Sequence, residues 1–589
     1  MTRLTGAVIA ALALVVLAVP VAGAKDGPSD TGAASAKTTE VQILGLNDFH
    51  GALEPPSGSG GRIGGTEAAG NAGGVEFLAT HVRELRATNP NTLFVSAGDL
   101  IGATPLISAL FHDEPSIEAF NLMGLDFNGV GNHEFDEGVD ELLRMQNGGC
   151  HPVDGCQDGD AFGGATFDFL AANVKYLATG ETIFPPYAVR EFPGVKVAII
   201  GMTLEGTPEI VTPAGISHVD FLDEAETVNA LVPVLKEQNI ETIIVLLHEG
   251  GSINQPLNPT TINQCNQPTG ALPPIVAAMD DEVDVVVTGH TNWAVNCVID
   301  GKIVTGAASA GRLVTDIDLT ISRATKDVVS AKVENKIVTR TVEKAPDMTA
   351  LIAKYGAISK PLADRVIGKI TADITRTANH AQESALGDVI ADAQLFATTP
   401  ANLGGAVIAF MNPGGIRTDL DYDQISGTEA LGEVTYGESF NVQPFGNSLV
   451  TMTLSGAQIE TVLEQQWCGA NLNAVKVLQV SDCFEYTYDG AGLVLQGNPP
   501  TLANTTGDCD RINPVDITFD GAPISPMVLY RVTVNSFLAT GGDGFTVLVD
   551  GTDELGGDVD LDALEKYFTA NPGGVAPGPQ DRITRVPAP

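Results

Sequence analysis

Five apolar runs in the first half of the chain each end in side chains that bind metal ions. VQILGL runs into Asn47-Asp48-Phe49-His50, TLFVSAG into Asp99, and DFNGVG into Asn132-His133; TIIVLL ends at His248 and DVVVTG at His290-Thr291-Asn292. Apolar runs of this length, bounded by Gly and polar residues, read as strands buried on both faces. In open α/β sheets the ligand crevice lies at the carboxyl ends of such strands. The pattern therefore predicts one sheet edge that gathers Asp48, Asp99, His50, His133, His248, His290, Asn132 and Asn292. Carboxylate, imidazole and amide oxygen in that number suffice for two divalent metal ions with a position left open for water and substrate. Asp99 leaves its strand directly into a Gly-flanked turn and is the natural bridge. Asp48 and His50 stand at i and i+2 after a strand, and His290 and Asn292 repeat that spacing. Any one of these residues alone is more often structural, but five such placements in one domain point to an enzyme.

The elements that must hold these residues form an α/β domain from about 40 to 340, where strand-like runs alternate with helical stretches at Gly74 to Arg86 and Ala225 to Gln238. A chain of 589 residues exceeds what one core usually supports, so further domains are expected. Residues 341–364 read as a linker helix, with Met348, Leu351, Ile352 and Tyr355 at helical spacing and a hinge there between the flanking domains. Residues 365–585 change texture to α+β: a helix at Glu383 to Phe396 precedes AVIAFMN, NSLVTMTLSG and LYRVTVNSFL. The stretch 465–515, rich in Asn, Gly and Thr, reads as an elaborated loop.

Residues 1–24 have the charged start, apolar centre and A-x-A-like end of a signal peptide, and 25–39 form a flexible leader. The apolar run is too short to span a bilayer, which predicts an exported protein with no stable membrane anchor. Seven Cys fit an oxidising compartment. Cys150 with Cys156 and Cys265 with Cys297 are plausible pairs, while Cys468, Cys483 and Cys509 leave one thiol over. A net charge of −42 argues against nucleic-acid polymer or anionic membrane as partner. An anionic substrate would then need cations close to its site.

NDFHG, SAGD, GNHEFD, LLHEGG and GHTN resemble the motif series of the calcineurin-like metallophosphoesterases, and NPGGIR, VQPFGN and NSFLATGGDGF resemble the C-terminal domain of the secreted 5′-nucleotidase family. The resemblance covers about 40 to 550. It implies a four-layer α/β/β/α domain, then the linker helix and an α+β substrate-binding domain. It implies that Asp48, His50 and Asn292 hold one metal and Asn132, His248 and His290 the other, with Asp99 shared. The metals would be two ions of Zn, Mn, Co or Fe. His133 would then face the phosphoryl group, oriented by Asp136. Phe445 and Phe537 would stack on a nucleobase, Asn447 and Asp543 would contact base and ribose, and Arg376 and Arg417 would pair with phosphate. The function implied is removal of the 5′-phosphate from nucleotides. The alternatives are 2′,3′-cyclic nucleotides or nucleotide sugars on the same fold, and a non-catalytic surface-binding protein. The chain departs from the pattern twice. Asn292 stands where His or Gln is usual, and His380 falls where a second arginine after Arg376 is expected.

Overall fold

The structure, a computed structural model, describes residues 37–56, 61–64, 72–251, 253, 257–265, 267–496 and 501–586. The expected signal peptide at 1–24 and most of the leader lie outside them. The first strand, Thr38–Leu46, takes in Thr38 and Thr39, which composition places in the leader.

The five apolar runs do not share one sheet. Thr38–Leu46, Thr92–Ser96 and Phe127–Gly129 lie side by side, parallel, in a six-stranded sheet, whereas Thr242–His248 and Val283–Thr288 belong to a second six-stranded sheet. Burial on both faces is compatible with either arrangement, so the residue pattern could not choose between them. Two sheets packed face to face bury both faces of every run. Val41, Ile43, Leu93, Val95 and Phe127 of the first interleave with Val197, Ile199, Ile244, Leu246, Val285 and Val287 of the second. The alternate residues point outward to helices. Leu44, Leu46 and Phe94 meet Val75, Leu78 and Val82 of the helix Val75–Arg86, and Val245 and Leu247 meet Val228, Val232 and Leu235 of the helix Glu224–Glu237. This is the α/β/β/α order of layers. At roughly 25 cal/mol per Å² of buried apolar surface, the inter-sheet layer is a main source of stability and holds the carboxyl ends of both sheets in register.

The linker helix, Pro346–Ala363, is not a free connector. Met348, Leu351 and Tyr355 are buried in the first domain's core, and Tyr355 Oη donates to Glu118 Oε2 at 2.9 Å. The expected hinge at 341–364 does not fit this packing, because bending there would tear that core.

In the second domain, Gln479–Val480, Ile408–Met411, Leu529–Asn535, Ser448–Ser455 and Thr552–Val559 form a five-stranded sheet in that order. The stretch 465–515 is not a loop elaboration. It supplies strands including Phe484–Asp489 and three of the largest buried side chains, Trp467, Tyr486 and Tyr488. Its Gly and Asn residues hid strands too short to show a period. Cys150–Cys156, Cys265–Cys297 and Cys468–Cys509 are paired, and Cys483 is the free thiol.

The Cys150–Cys156 loop brings Asp154 to His112. Burial lowers the His112 pKa, but hydrogen bonds to Glu137 (2.8 Å) and Asp154 (3.0 Å) more than offset it and bring the group up to about 9. A raised folded-state value stabilises fully below the unfolded value of roughly 6.5 and is lost as pH rises through the folded one. Wild-type protein should therefore lose a few degrees of melting temperature between about pH 6.5 and 9 relative to His112→Gln. Equal slopes in melting scans of the two proteins would refute this.

Candidate dinuclear metal centre and substrate cleft

Three of the five strand ends deliver their side chains through strained turns. Asp48, His50, Asp99, His290 and Asn292 all have φ between +47° and +67°, the left-handed region that non-glycine residues rarely adopt. Such strain persists only where surrounding bonds enforce it. Asn47 does so for Asp48: its amide donates to Asp48 Oδ2 and to the Ala308 carbonyl at 2.6 Å, while its oxygen accepts from Ala307 N–H at 2.7 Å, tying the two sheets together. Glu134 does so for Asp99, accepting the N–H groups of Asp99 and Leu100 (both 2.9 Å) and of Gly131 (2.6 Å). Asp113 accepts the Gly102 N–H at 2.9 Å, and the Gly102 carbonyl accepts from His50 Nδ1 at 2.9 Å.

These bonds aim the ligand atoms at one another. His50 Nδ1 and His248 Nδ1 both donate to carbonyls, of Gly102 and Ala97, which leaves each Nε2 facing the Asp99 carboxylate at 3.7 and 3.0 Å. Asp99 Oδ2 is thus shared between a His50 side and a His248 side. Asn132 Oδ1 lies 3.1 Å from His248 Nε2 and 2.9 Å from His290 Nδ1. His50, Asp99 and His133 have donor atoms within 4.8 Å of one another, as do Asp99, His248 and His290. Asp48 Oδ1 is fully buried and has no hydrogen-bond partner among the described residues, an acceptor facing His50 Nε2 at 3.9 Å. Burial pushes Asp48 up to about 7, and it lowers His50 to about 4 and His290 to about 3, so both imidazoles are neutral, the ligating form. Burial also lowers His248, but Asp99 more than offsets it and brings the group up to about 10. A carboxylate shared by two imidazole sides, a stranded Asp48 oxygen, and His50 and His248 each held by its far nitrogen fit a pair of divalent cations.

Asn292 stands apart. It is exposed, and its amide donates to the His290 carbonyl at 3.3 Å. Gly131 sets the packing tolerance of the cluster: a methyl there would come within 2.8 Å of His248 Cε1 and 2.7 Å of Asp99 N. Gly131→Ala should lower the melting temperature by several degrees and release metal, measured by elemental analysis of the dialysed protein; retention of full metal would contradict the tight packing inferred here.

His133 lies beside the cluster, its ring centroid 5.0 Å from that of His50, with Nδ1 bonded to Asp136 Oδ2 at 2.8 Å. Burial lowers its pKa, and Asp136 and Asp99 raise it by more. The Phe445 ring from the second domain stacks 6.0 Å from the His133 ring at 12°, and the Arg417 guanidinium stands 5.7 Å over Phe445. Burial pulls the Arg417 pKa down while Asp136, Asp99 and Asp48 pull it up, so this cation faces the acidic cluster across the domain boundary. Arg376 is close enough to Arg417 to depress it further, but is itself exposed and donates to the Ile416 carbonyl; His380 is exposed too. A cavity of about 350 Å³ runs from Asn132, His133 and His290 to Phe445, Asn447, Phe537 and Asp543.

Residues 41–293 match the calcineurin-like phosphoesterase family, and residues 366–550 match the 5′-nucleotidase C-terminal domain. The chain belongs to the 5′-nucleotidase family. Members of this family are hydrolases, and its phosphoesterase fold implies divalent metal ions. Among its relatives, endonuclease YhcR of Bacillus subtilis (strain 168) is 30% identical over 551 residues, 92% of this chain but 41% of its own length. Cell wall protein Lmo0130 of Listeria monocytogenes is 33% identical over 550 residues, 88% of this chain and 65% of its own length. The chain thus spans less than two thirds of both relatives. The crystal structure of the 5′-nucleotidase precursor from Thermus thermophilus superposes with a TM-score of 0.71 at 26% identity, covering 94% of this chain and all of that one.

The sequence reading passed over four residues of this 5′-nucleotidase-family site. Glu134 sits inside GNHEFD, Asn412 inside NPGGIR and Asn535 inside NSFLATGGDGF, so motif context marked them without giving them roles. Lys476, which lines the cavity, carries no sequence signal at all, being placed by the disulfide-closed stretch after Cys468.

Proposed function

We propose that the protein is an exported, dimetal phosphomonoesterase that removes the 5′-phosphate from nucleotides. The observation that carries this reading is one cavity joining the Asp99-centred cluster of the first domain to the Phe445–Phe537–Asp543 wall of the second. Asp48, His50, Asp99, Asn132, His248 and His290 would hold the two ions, with Asn292 reaching in only by turning from its bond to the His290 carbonyl. Divalent ions there supply Lewis acidity, lowering the pKa of water and drawing charge from phosphoryl oxygens. His133, its Nδ1 proton fixed on Asp136, directs Nε2 at the phosphoryl group and offsets charge on it and its leaving oxygen. Arg417 pairs with the phosphate, and Arg376 adds positive field from further out. These are the local cations that a chain of net charge −42 needs for an anionic substrate. Phe537 lies flat on Gly542, where a Cβ would meet its ring, and with Phe445 it offers a nucleobase two aromatic faces. Asn447 and Asp543 supply polar contacts to base and ribose.

Export is supported by the 1–24 signal pattern, by the disulfides, and by a cell wall protein among the relatives. No helix among the described residues is long and apolar enough to cross a membrane. Similarity to an endonuclease favours a phosphodiester as the second reading, against which the chain's charge weighs.

A panel of nucleoside 5′-mono-, di- and triphosphates, 2′,3′-cyclic nucleotides, nucleotide sugars and single-stranded DNA, assayed with and without chelator, tests this. Metal-dependent phosphate release fastest from 5′-monophosphates is the expected result; preference for a diester would overturn it. Phe445→Ala should raise KM for nucleotides about 10-fold, the worth of one base–aromatic stack, with a smaller change for 4-nitrophenyl phosphate. An equal change for both substrates would remove Phe445 from base recognition.

A further inference from the structure

Apart from the dinuclear cluster, a second group of imidazoles and carboxylates converges at the loop closed by Cys150–Cys156. Three segments supply it. His112 comes from a turn in which it and Asp113 both take positive φ, 49° and 62°, a strained pair that fixes the direction of the ring. Glu137 follows Asp136 directly in the chain. His151 and Asp154 belong to the disulfide-closed loop, which is pinned further by the Gly155 N–H donating to the His151 carbonyl at 2.9 Å. The half-buried His112 and His151 rings stack in parallel, with centroids 3.7 Å apart at 15°.

Three ligand atoms meet here, and a proton can reconcile only two of them. His112 Nδ1 is bonded to Glu137 Oε2 at 2.8 Å, and its Nε2 faces Asp154 Oδ2 at 3.0 Å. His151 Nδ1 faces the same oxygen at 3.4 Å. That nitrogen accepts the Asp154 N–H at 3.1 Å, so it carries a lone pair and no proton. A protonated His112 satisfies Asp154 on one side but leaves the His151 nitrogen and the Asp154 oxygen opposed, acceptor against acceptor. A proton on His151 Nδ1 would collide with the Asp154 N–H. A divalent cation resolves all three contacts at once. Tetrahedral ligands at about 2.0–2.2 Å from a zinc ion lie about 3.3 Å from one another, and the separations of 3.0 and 3.4 Å bracket that value. Glu137 already holds the far nitrogen of His112, as carboxylates do behind metal-ligating histidines. Two ionic charges also balance Glu137 and Asp154, where a lone imidazolium balances one.

We propose that His112 Nε2, His151 Nδ1 and Asp154 Oδ2 form a further metal site, separate from the cleft pair, for zinc or a similar nitrogen-preferring divalent ion. Water completes the coordination. Two imidazoles with one carboxylate favour Zn, Co, Ni or Cu over Mg or Ca, which take oxygen ligands. An ion here ties the disulfide loop to the turns carrying Asp113 and Asp136, which orient Gly102 and His133 at the cleft. Without it, His112 is the imidazolium that pairs with Glu137 and Asp154, so binding displaces one proton. With three protein ligands, one on an exposed Asp154, the site loads reversibly onto protein that keeps its tighter cleft ions through dialysis.

The test is calorimetric titration of zinc into the metal-loaded, dialysed protein at about pH 8, where the proton competes less. Wild type should take up one further equivalent. His151→Gln and Asp154→Asn should each weaken that uptake by at least about 10-fold, the lower bound for disturbing even the outer partners of a metal ligand. Both substitutions fall in a surface loop, so both variants should keep the metal retained on dialysis and the turnover of 4-nitrophenyl phosphate, which shows that they are folded. An excess of calcium or magnesium should leave the added zinc in place. A wild type that takes up no further equivalent, or a further equivalent that both variants retain, overturns the proposal. Displacement of the zinc by calcium overturns it too, since the uptake would then reflect attraction to an acidic surface and not ligation by the two imidazoles.

Discussion

His133→Ala is expected to lower turnover by about 10²–10⁴-fold, the usual worth of one positioned proton-transferring group, with melting temperature and metal content unchanged. The reason lies in what the ring touches. Its Nδ1 is committed to Asp136, its partner rings are His50 and Phe445, and the cleft residues around it include Arg417 from the other domain. On the proposed reading, loss of the ring removes a group aimed at substrate and leaves the bonds that hold the cluster, which run through Asn47, Glu134 and Gly102. Asp136→Asn should cost less, because an amide can still contact the ring but no longer favours the same tautomer. Phosphate release and elemental analysis on the same samples decide the matter. Near-normal turnover, or metal lost in parallel with activity, would falsify the role given to His133.

Asp99→Asn should have the other large effect. Asp99 Oδ2 faces His50 Nε2 and His248 Nε2, and Oδ1 accepts the His133 N–H at 3.0 Å. An amide in its place loses the charge that both proposed ion positions would share and turns a donor toward one of three neighbours. The metal content should drop from about two ions per chain to one or fewer, with at least a ~10³-fold loss of activity. A second consequence is visible without any assay. A ligand held at 100 times its dissociation constant stabilises a folded protein by about 2.7 kcal/mol, so added Zn or Mn should raise the melting temperature of wild type by a few degrees and that of Asp99→Asn by much less. Equal metal-induced shifts in both proteins would remove Asp99 from the bridging position.

The first domain's α/β class and the residues of the cluster were largely readable from the apolar runs, because strands buried on both faces must be continuously apolar and must stop where polar ligands begin; its four-layer order came only from the motif resemblance. VQILGL and TIIVLL announce both facts at once. The assignment of runs to sheets was not readable: Leu246 and Val95 are equally buried whether they neighbour in one sheet or face each other across two. The linker helix shows the same limit. Its spacing gave Met348, Leu351 and Tyr355 a common side, yet only packing decided that this side belongs to the first domain and that the helix is no hinge.

In the end the sequence by itself determined the chemistry available at the strand ends and the two-domain plan, and its motifs marked the aromatic and acidic residues proposed for a substrate. These follow from side-chain type and short-range order, which a linear string carries. Tertiary structure alone decided which oxygen is left stranded at Asp48, which nitrogen each histidine presents, that Asn292 points away, and that Lys476 closes on Asp543. Each of these depends on hydrogen bonds between residues far apart in sequence, such as Asn47 with Ala308, His248 with Ala97 and Lys476 with Asp543, and the direction of such bonds is fixed only once the strands and the two domains have come together.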